Sequence, residues 1–159
     1  MKLLYGVQGT GNGHISRARM LAKHFSEKNI DVEYLFSGRA ADQYFDMEIF
    51  GDYQLRDGLS FATNKGSISA IQTLLQTKPL TFIGDVRKLD ISSYDAIITD
   101  FEPVTAWAGR LKKKPVIGIG HQYAFGYPDV PQSGVADNQS RRNSPALWLT
   151  GTHRRVPAL

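Results

Sequence analysis

The residues best suited to chemistry form a glycine-rich turn near the start of the chain. In order, they are Gly9, Thr10, Gly11, Asn12, Gly13 and His14. Glycines between a strand and a helix let the backbone adopt positive φ angles and approach a ligand closely. The helix that follows offers unpaired N–H groups and a positive dipole end, which favour an anion. We predict a ligand-binding turn here, and the alternative is a turn that only connects two elements.

Two titratable side chains are predicted to lie beside this turn. His14 follows the apolar run 2–8, and Asp100 follows the apolar run 95–99. Ligands of open α/β sheets bind at the carboxyl ends of the parallel strands, so both residues fall where a site is expected. The alternatives are local packing of His14 at a helix start and capping by Asp100 of a helix that begins at Pro103.

Two other nucleotide-binding motifs fit the turn poorly. The dinucleotide pattern G-x-G-x-x-G needs glycine where His14 stands, and no acidic residue ends the second apolar run to bond a ribose. Arg39 follows that run instead, so an NADP-type module, in which an arginine meets the 2′-phosphate, stays open as an alternative. The phosphate-binding loop pattern fails because no Gly-Lys-Ser/Thr follows the turn.

The elements that must position these residues alternate along the chain. Short apolar runs predict strands over 2–8, 31–36, 53–55, 95–99 and 115–120, and helical spacing follows Ile15, Pro79 and Pro103. A short helix is predicted over 39–45, and Ser67 is predicted to cap another. Runs of this kind favour an α/β fold, a Rossmann-like, doubly wound, mainly parallel sheet with helices on both faces.

Composition limits the class of protein and its organisation. The 159 residues include no cysteine, which excludes disulfides and thiolate metal sites and suits a cytoplasmic protein. No apolar run approaches the roughly 20 residues needed to span a bilayer. Three of the four net positive charges lie in residues 135–159, so the predicted fold carries no basic stripe for nucleic acid. We predict one domain over 1–132 and an irregular tail over 133–159, either disordered or an altered reading frame.

Three segments resemble a known family. They are GTGNGHISRAR from Gly9 to Arg19, Asp100-Phe101-Glu102, and Gly118-Ile-Gly-His-Gln122. Together they look like the acceptor-side, N-terminal half of GT-B fold glycosyltransferases. They are similar to the bacterial cell-wall N-acetylglucosaminyltransferases and their uncharacterised relatives. The likeness covers about residues 1 to 132 and does not extend into the tail.

The resemblance implies roles for individual residues. His14 would be the general base for an acceptor hydroxyl, and Asp100 would orient it. Substrate would bind at the glycine turn (Gly9, Thr10, Gly11, Asn12 and Gly13) and at Glu102, His121 and Gln122. No metal or other cofactor is expected, because the spacing of these side chains matches no metal-ligand motif.

The resemblance also implies what the chain needs from elsewhere. In GT-B enzymes a C-terminal domain binds most of the donor nucleotide, so we expect negligible transferase activity until such a domain, missing here or on a separate chain, is supplied. The acceptor is expected to be a sugar or a lipid-linked sugar, with peripheral membrane contact. Self-association through an uncovered interdomain face is also expected. The remaining alternative is a non-catalytic subunit that completes a separate donor-domain protein.

Overall fold

A computed structural model describes residues 1–58, 63–64, 67–68, 79–120 and 123. The elements, in chain order, are β1 (Lys2–Gln8), α1 (Asn12–Glu27), β2 (Asp31–Ser37), β3 (Tyr53–Arg56), β4 (Thr63–Asn64), β5 (Ser67–Ile68), α2 (Pro79–Lys88), β6 (Ala96–Asp100), α3 (Pro103–Leu111) and β7 (Val116–Gly118). Two 3-10 turns, Ala41–Gln43 and Glu48–Phe50, lie between β2 and β3.

The main sheet has five parallel strands in the order β3-β2-β1-β6-β7. From β1 the chain first proceeds through β2 to β3 on one side, and then returns to place β6 and β7 on the other. The two central strands are in register from Leu3 opposite Ala96 to Val7 opposite Asp100. This arrangement confirms the predicted Rossmann-like α/β fold, in which the reversal point lies between β1 and β6.

Alternate residues of the central strands supply two separate cores, one on each face of the sheet. On the first face, Tyr5, Val7 and Ile98 pack with Ile15, Ala18 and Ala22 of α1. On the second face, Leu4, Leu35 and Ile97 pack with Val86 of α2 and with Val104 and Ala108 of α3. Because successive strand residues point to opposite faces, apolar runs without alternation are what a sheet covered on both sides requires. The predicted helices on both faces are confirmed.

Several local predictions need correction. Ser67 does not cap a helix, because Ser67–Ile68 pairs antiparallel with Thr63–Asn64 across a two-residue separation that favours a hairpin. The rest of that predicted helix lies outside the described residues. A single 3-10 turn, Ala41–Gln43, replaces the short helix over 39–45. The strand predicted over 115–120 is only three residues long and half-exposed, because β7 has one neighbour, β6, among the described strands.

Two findings concern the ends and the surface of the fold. The predicted boundary at residue 132 and the tail over 133–159 both lie outside the described residues. Within the described ranges, each helix is too short or too polar to cross a membrane.

Candidate active site

The candidate site lies where the chain order of the sheet reverses. β1 leads through the glycine turn into α1, and β6 leads through Phe101 and Glu102 into α3. Because β1 and β6 are parallel neighbours, both turns emerge at the same edge of the sheet. An open α/β sheet forms a crevice at this position, since the connections on its two sides lead to opposite faces. The fold therefore brings His14 and Asp100, which are 86 residues apart, to one place.

His14 and Asp100 form a close pair. The Nδ1 atom of His14 lies 2.7 Å from Oδ1 of Asp100. The Asp100 side chain is completely buried, whereas the imidazole remains 15% exposed. With a carboxylate at Nδ1, the imidazole carries its proton on that nitrogen and leaves Nε2 free to accept another. The pair has the arrangement of a base held by an orienting carboxylate.

Two further side chains contact the Asp100 carboxylate. A terminal nitrogen of Arg17 lies 3.0 Å from the oxygen Oδ1 that also contacts His14. The Tyr5 hydroxyl lies 3.5 Å from Oδ2. Burial, followed by the Asp100 charge, raises the pKa of Tyr5 above its ordinary value of 10.0, so this phenol remains a donor. Asp100 therefore accepts from groups on β1 and α1.

Phe101 sets the directions of the residues on either side of it. Its φ angle is +59°, in the left-handed region that side chains rarely adopt. Residues two apart on a strand normally share a face. The turn at Phe101 instead leaves Asp100 on the α1 side of the sheet and directs the Glu102 side chain to the α3 side. The Phe101 ring also lies nearly parallel to the imidazole of His14, with centroids 6.1 Å apart.

The structure does not place Glu102 at the surface of the site, where the sequence predicted it to bind acceptor hydroxyls. Its side chain is fully buried and caps α3, accepting hydrogen bonds from the backbone N–H groups of Val104 at 2.9 Å and Thr105 at 2.7 Å. The hydroxyls of Thr105 and Ser37 donate to it as well, at 2.6 and 2.7 Å. Glu102, rather than Asp100, is thus the helix cap.

The pKa of Glu102 reflects two opposing influences. Burial raises the pKa above the ordinary value of 4.5, and the hydrogen bonds from Thr105, Ser37 and Val104 lower it by less. The net direction is upward because a buried carboxylate without a cationic partner is costly to ionise.

The glycine turn uses its three glycines differently from the sequence prediction. None of the three glycines Gly9, Gly11 and Gly13 has a positive φ angle. Gly11 has an extended φ of −126°. A Cβ atom at Gly9 would lie 2.2 Å from the Tyr44 hydroxyl, so this glycine is needed for close packing. A Cβ atom at Gly13 would meet nothing within 4 Å. Gly13 therefore leaves open space beside His14.

The remaining atoms of the turn are available at the surface. Thr10 and Asn12 are exposed, although the Thr10 hydroxyl accepts from Gln8 and the Asn12 side chain accepts from Arg39 at 3.0 Å. Gly11 precedes α1 without a side-chain cap, and the first turn of the helix holds no acidic residue. The N–H groups at this helix start can therefore face a polar or anionic ligand.

Comparison with protein families decides the family of this chain. The model of a family described as glycosyl transferase family 1 matches residues 1–144. The chain belongs to glycosyl transferase family 1. No curated protein matches its sequence. The crystal structure of MurG from Acinetobacter baumannii is similar at 17% identity with a TM-score of 0.48, covering 78% of this chain and 38% of that one. The chain thus spans less than half of the length of that protein.

In this family 1 domain, some predicted site residues cannot be located. His121 and Gln122 lie outside the described residues. No group of three His, Cys, Asp or Glu side chains that could hold a metal occurs in the described part of the chain. Arg39, the residue of the NADP-type alternative, lies on the ring of Tyr44 and against Asn12 of the glycine turn.

Sequence reasoning missed Arg17 and assigned it no role in the site. The structure instead directs Arg17 to the buried Asp100. A usable signal was present, because Arg17 follows His14 by three residues and such residues share one helix face. Tyr5 was missed because strand apolarity identified it only as a core residue.

Proposed function

We propose that this domain binds the acceptor in a nucleotide-sugar-dependent glycosyl transfer, with His14 as general base and Asp100 as the residue that orients it. The observation that carries the proposal is the 2.7 Å pair between the His14 and Asp100 side chains at the reversal point of the sheet. That pair belongs to a chain of glycosyl transferase family 1.

The chemistry follows from the free nitrogen of His14. A sugar hydroxyl is a poor nucleophile until its proton is removed, and imidazole accepts protons near neutral pH. As Nε2 takes the proton, the acceptor oxygen bonds to the anomeric carbon of the donor sugar. The bond from that carbon to the nucleoside diphosphate breaks, and the diphosphate leaves with the electron pair. Asp100 stabilises the imidazolium that forms.

The glycine turn is proposed to form the acceptor-binding wall. Thr10 and Asn12 offer side-chain polar atoms at the surface, and Gly13 leaves room for a ligand to approach the backbone. His121 and Gln122 follow β7 in the sequence and are proposed to complete this wall. The acceptor is proposed to be a sugar or a lipid-linked sugar. Peripheral membrane contact and self-association remain part of the proposal, supported by the exposed Leu80 and Ile83 of α2.

The donor nucleotide-sugar is proposed to bind a second domain, whether on the same chain or on a partner. The proposed base and its proposed orienting carboxylate lie among the described residues, but transfer also needs groups that stabilise the departing diphosphate. We therefore expect the 159-residue chain by itself to show negligible transfer. A non-catalytic role beside a separate donor-domain protein is the alternative.

The first test separates binding from transfer. Calorimetry and amide chemical-shift mapping would follow the full chain with UDP-sugars, candidate acceptor sugars and NADPH. We expect an acceptor sugar to perturb Thr10, Asn12 and His14, and we expect weak or undetectable binding of UDP-sugars and NADPH. Tight NADPH binding would overturn the glycosyltransferase assignment of the site, and tight UDP-sugar binding would overturn its acceptor role.

The second test addresses the base. With a donor-binding domain supplied, His14→Ala is expected to lower the transfer rate by about a hundredfold to ten-thousandfold, because proton removal is lost. Asp100→Asn is expected to lower the transfer rate by a similar factor, since the amide no longer holds the required tautomer of His14. His24→Ala, on the exposed side of the same helix, is the matched control and should retain the wild-type rate. An active His14→Ala variant would exclude His14 as the base.

A further inference from the structure

The buried charge of Asp100 needs a compensating positive charge if His14 is to act as the proposed base. Its carboxylate is completely buried, and an isolated buried charge is strongly unfavourable. A general base must begin each cycle unprotonated, so His14 cannot supply a positive charge to offset Asp100 before the proton is transferred. The compensating cation has to come from another residue.

Arg17 occupies the position where such a cation is needed. Its guanidinium nitrogen lies 3.0 Å from Oδ1 of Asp100, the same oxygen that contacts His14. Arginine stays protonated at any pH at which the protein is folded. Arg17 is also one turn after His14 on α1, so one rigid helix holds both partners of the carboxylate.

Among the described residues, the groups around the carboxylate add no other compensating charge. In the described part of the chain, the titratable groups that face it are Tyr5 from β1, with Tyr34 of β2 behind it, and His14 and Arg17 from α1. Both phenols have a pKa raised by burial, so they are neutral. Arg17 and Asp100 therefore sum to zero charge, and a neutral imidazole completes a neutral cluster.

We propose that Arg17 is a positioning residue whose permanent charge keeps Asp100 ionised while leaving His14 unprotonated and able to act as the base. The inference rests on the proposed function for its catalytic meaning. Its physical content is a charge balance that can be measured without turnover. If the arginine charge is removed, the negative field of Asp100 acts on His14 alone and favours proton uptake by the imidazole.

The test is an NMR titration of the histidine ring resonances in the full chain. Arg17→Gln removes the charge but keeps a hydrogen-bond donor for Asp100, and Arg17→Lys keeps the charge. We expect the titration midpoint of His14 to move to higher pH in Arg17→Gln and to stay near the wild-type position in Arg17→Lys. Arg19→Met is the matched control, because Arg19 bonds the backbone carbonyls of Phe45 and Asp46 instead. His24, exposed on the same helix, serves as an internal reference.

A His14 midpoint that is unchanged or lower in Arg17→Gln would overturn the proposal, as would an equal shift in Arg19→Met. If Arg17→Gln does not fold, a His14 midpoint in Arg17→Lys that departs from wild type would overturn it, and a matching one would support it. Since the titration needs no substrate, its result stands whether or not the domain takes part in glycosyl transfer.

A rate measurement then joins the two proposals. With a donor domain supplied, Arg17→Gln is expected to lose about tenfold in transfer rate at the low-pH end of the pH–rate profile and to recover it at the high-pH end. A loss that is equal at both ends, with a raised KM for the donor, would mean that Arg17 binds substrate, and would overturn its role as a positioning residue. Absence of transfer by the wild-type protein would instead contradict the proposed function alone.

Discussion

Asp100 and Glu102 are two carboxylates of one turn, both completely buried, and the protein treats them in opposite ways. Asp100 faces the α1 side of the sheet, where it meets a permanent cation and a titratable imidazole. Glu102 faces the α3 side, where the described residues give its side chain four hydrogen bonds, all of them from neutral donors. Burial alone therefore does not identify a functional carboxylate.

The two carboxylates differ in whether their hydrogen-bond partners are exposed to a ligand. Asp100 directs its bonds to a side chain that is still partly exposed, so its charge can act on a substrate through His14. Glu102 directs its bonds inward and joins β2 to the start of α3. The α1 side thus holds the proposed chemistry, and the α3 side holds the turn from which Asp100 emerges. Substitutions on the two sides should separate loss of activity from loss of stability.

The largest expected effect on stability comes from Glu102→Ala. This change leaves the buried N–H groups of Val104 and Thr105 without their acceptor and removes the cap of α3. We expect the free energy of unfolding to fall by about 3 kcal/mol, measured by urea denaturation. Glu48→Ala, at an exposed site in a 3-10 turn, is the control and should change it by less than about 0.5 kcal/mol. A urea denaturation midpoint for Glu102→Ala equal to that of the wild type would contradict the structural role that separates Glu102 from Asp100.

The same glycine-to-alanine change should have opposite effects on the two sides. At Gly6 a Cβ atom would lie 2.0 Å from the Thr105 hydroxyl and 2.9 Å from the Glu102 carboxylate, so Gly6→Ala should destabilise the fold by about 1 to 3 kcal/mol. At Gly13, within α1, the space is open, so Gly13→Ala should stabilise it by about 0.5 to 1 kcal/mol.

Acceptor binding by the same variant tests why position 13 is a glycine. If the acceptor approaches the backbone there, the more stable Gly13→Ala variant should bind acceptor sugar more weakly, as followed by calorimetry. Unchanged acceptor binding in Gly13→Ala would show that the open space is not used by the ligand.

The smallest effect is a pH dependence carried by Glu102. Because burial raises its pKa in the folded state above the ordinary 4.5, the folded protein binds the proton more tightly than the unfolded chain does. The free energy of unfolding should therefore fall as the pH rises from about 4.5 through the raised folded-state pKa. Urea denaturation across this range should show the decline in wild type but not in Glu102→Gln. An identical slope in both proteins would assign the dependence to another group.

The sequence by itself determined the alternation of strands and helices, the parallel sheet and the glycine turn. Apolar runs and helical spacing are local patterns, and Pro103 begins α3 as predicted because its missing N–H is not needed at a helix start. The same patterns placed His14 and Asp100 at strand ends. A resemblance in three segments then indicated the family.

Only the tertiary structure decided which polar residues lie together at the candidate site. Arg17 was not assigned to the site because the helical pattern distinguishes apolar from polar residues and says nothing of a buried carboxylate on β6. Glu102 was assigned to the site by the resemblance and by its place just after the predicted strand over 95–99. The positive φ of Phe101, which turns the Glu102 side chain to the α3 side, left no mark in the sequence. Partners separated by 83 or 65 residues meet through the order of the strands, which a local pattern does not contain.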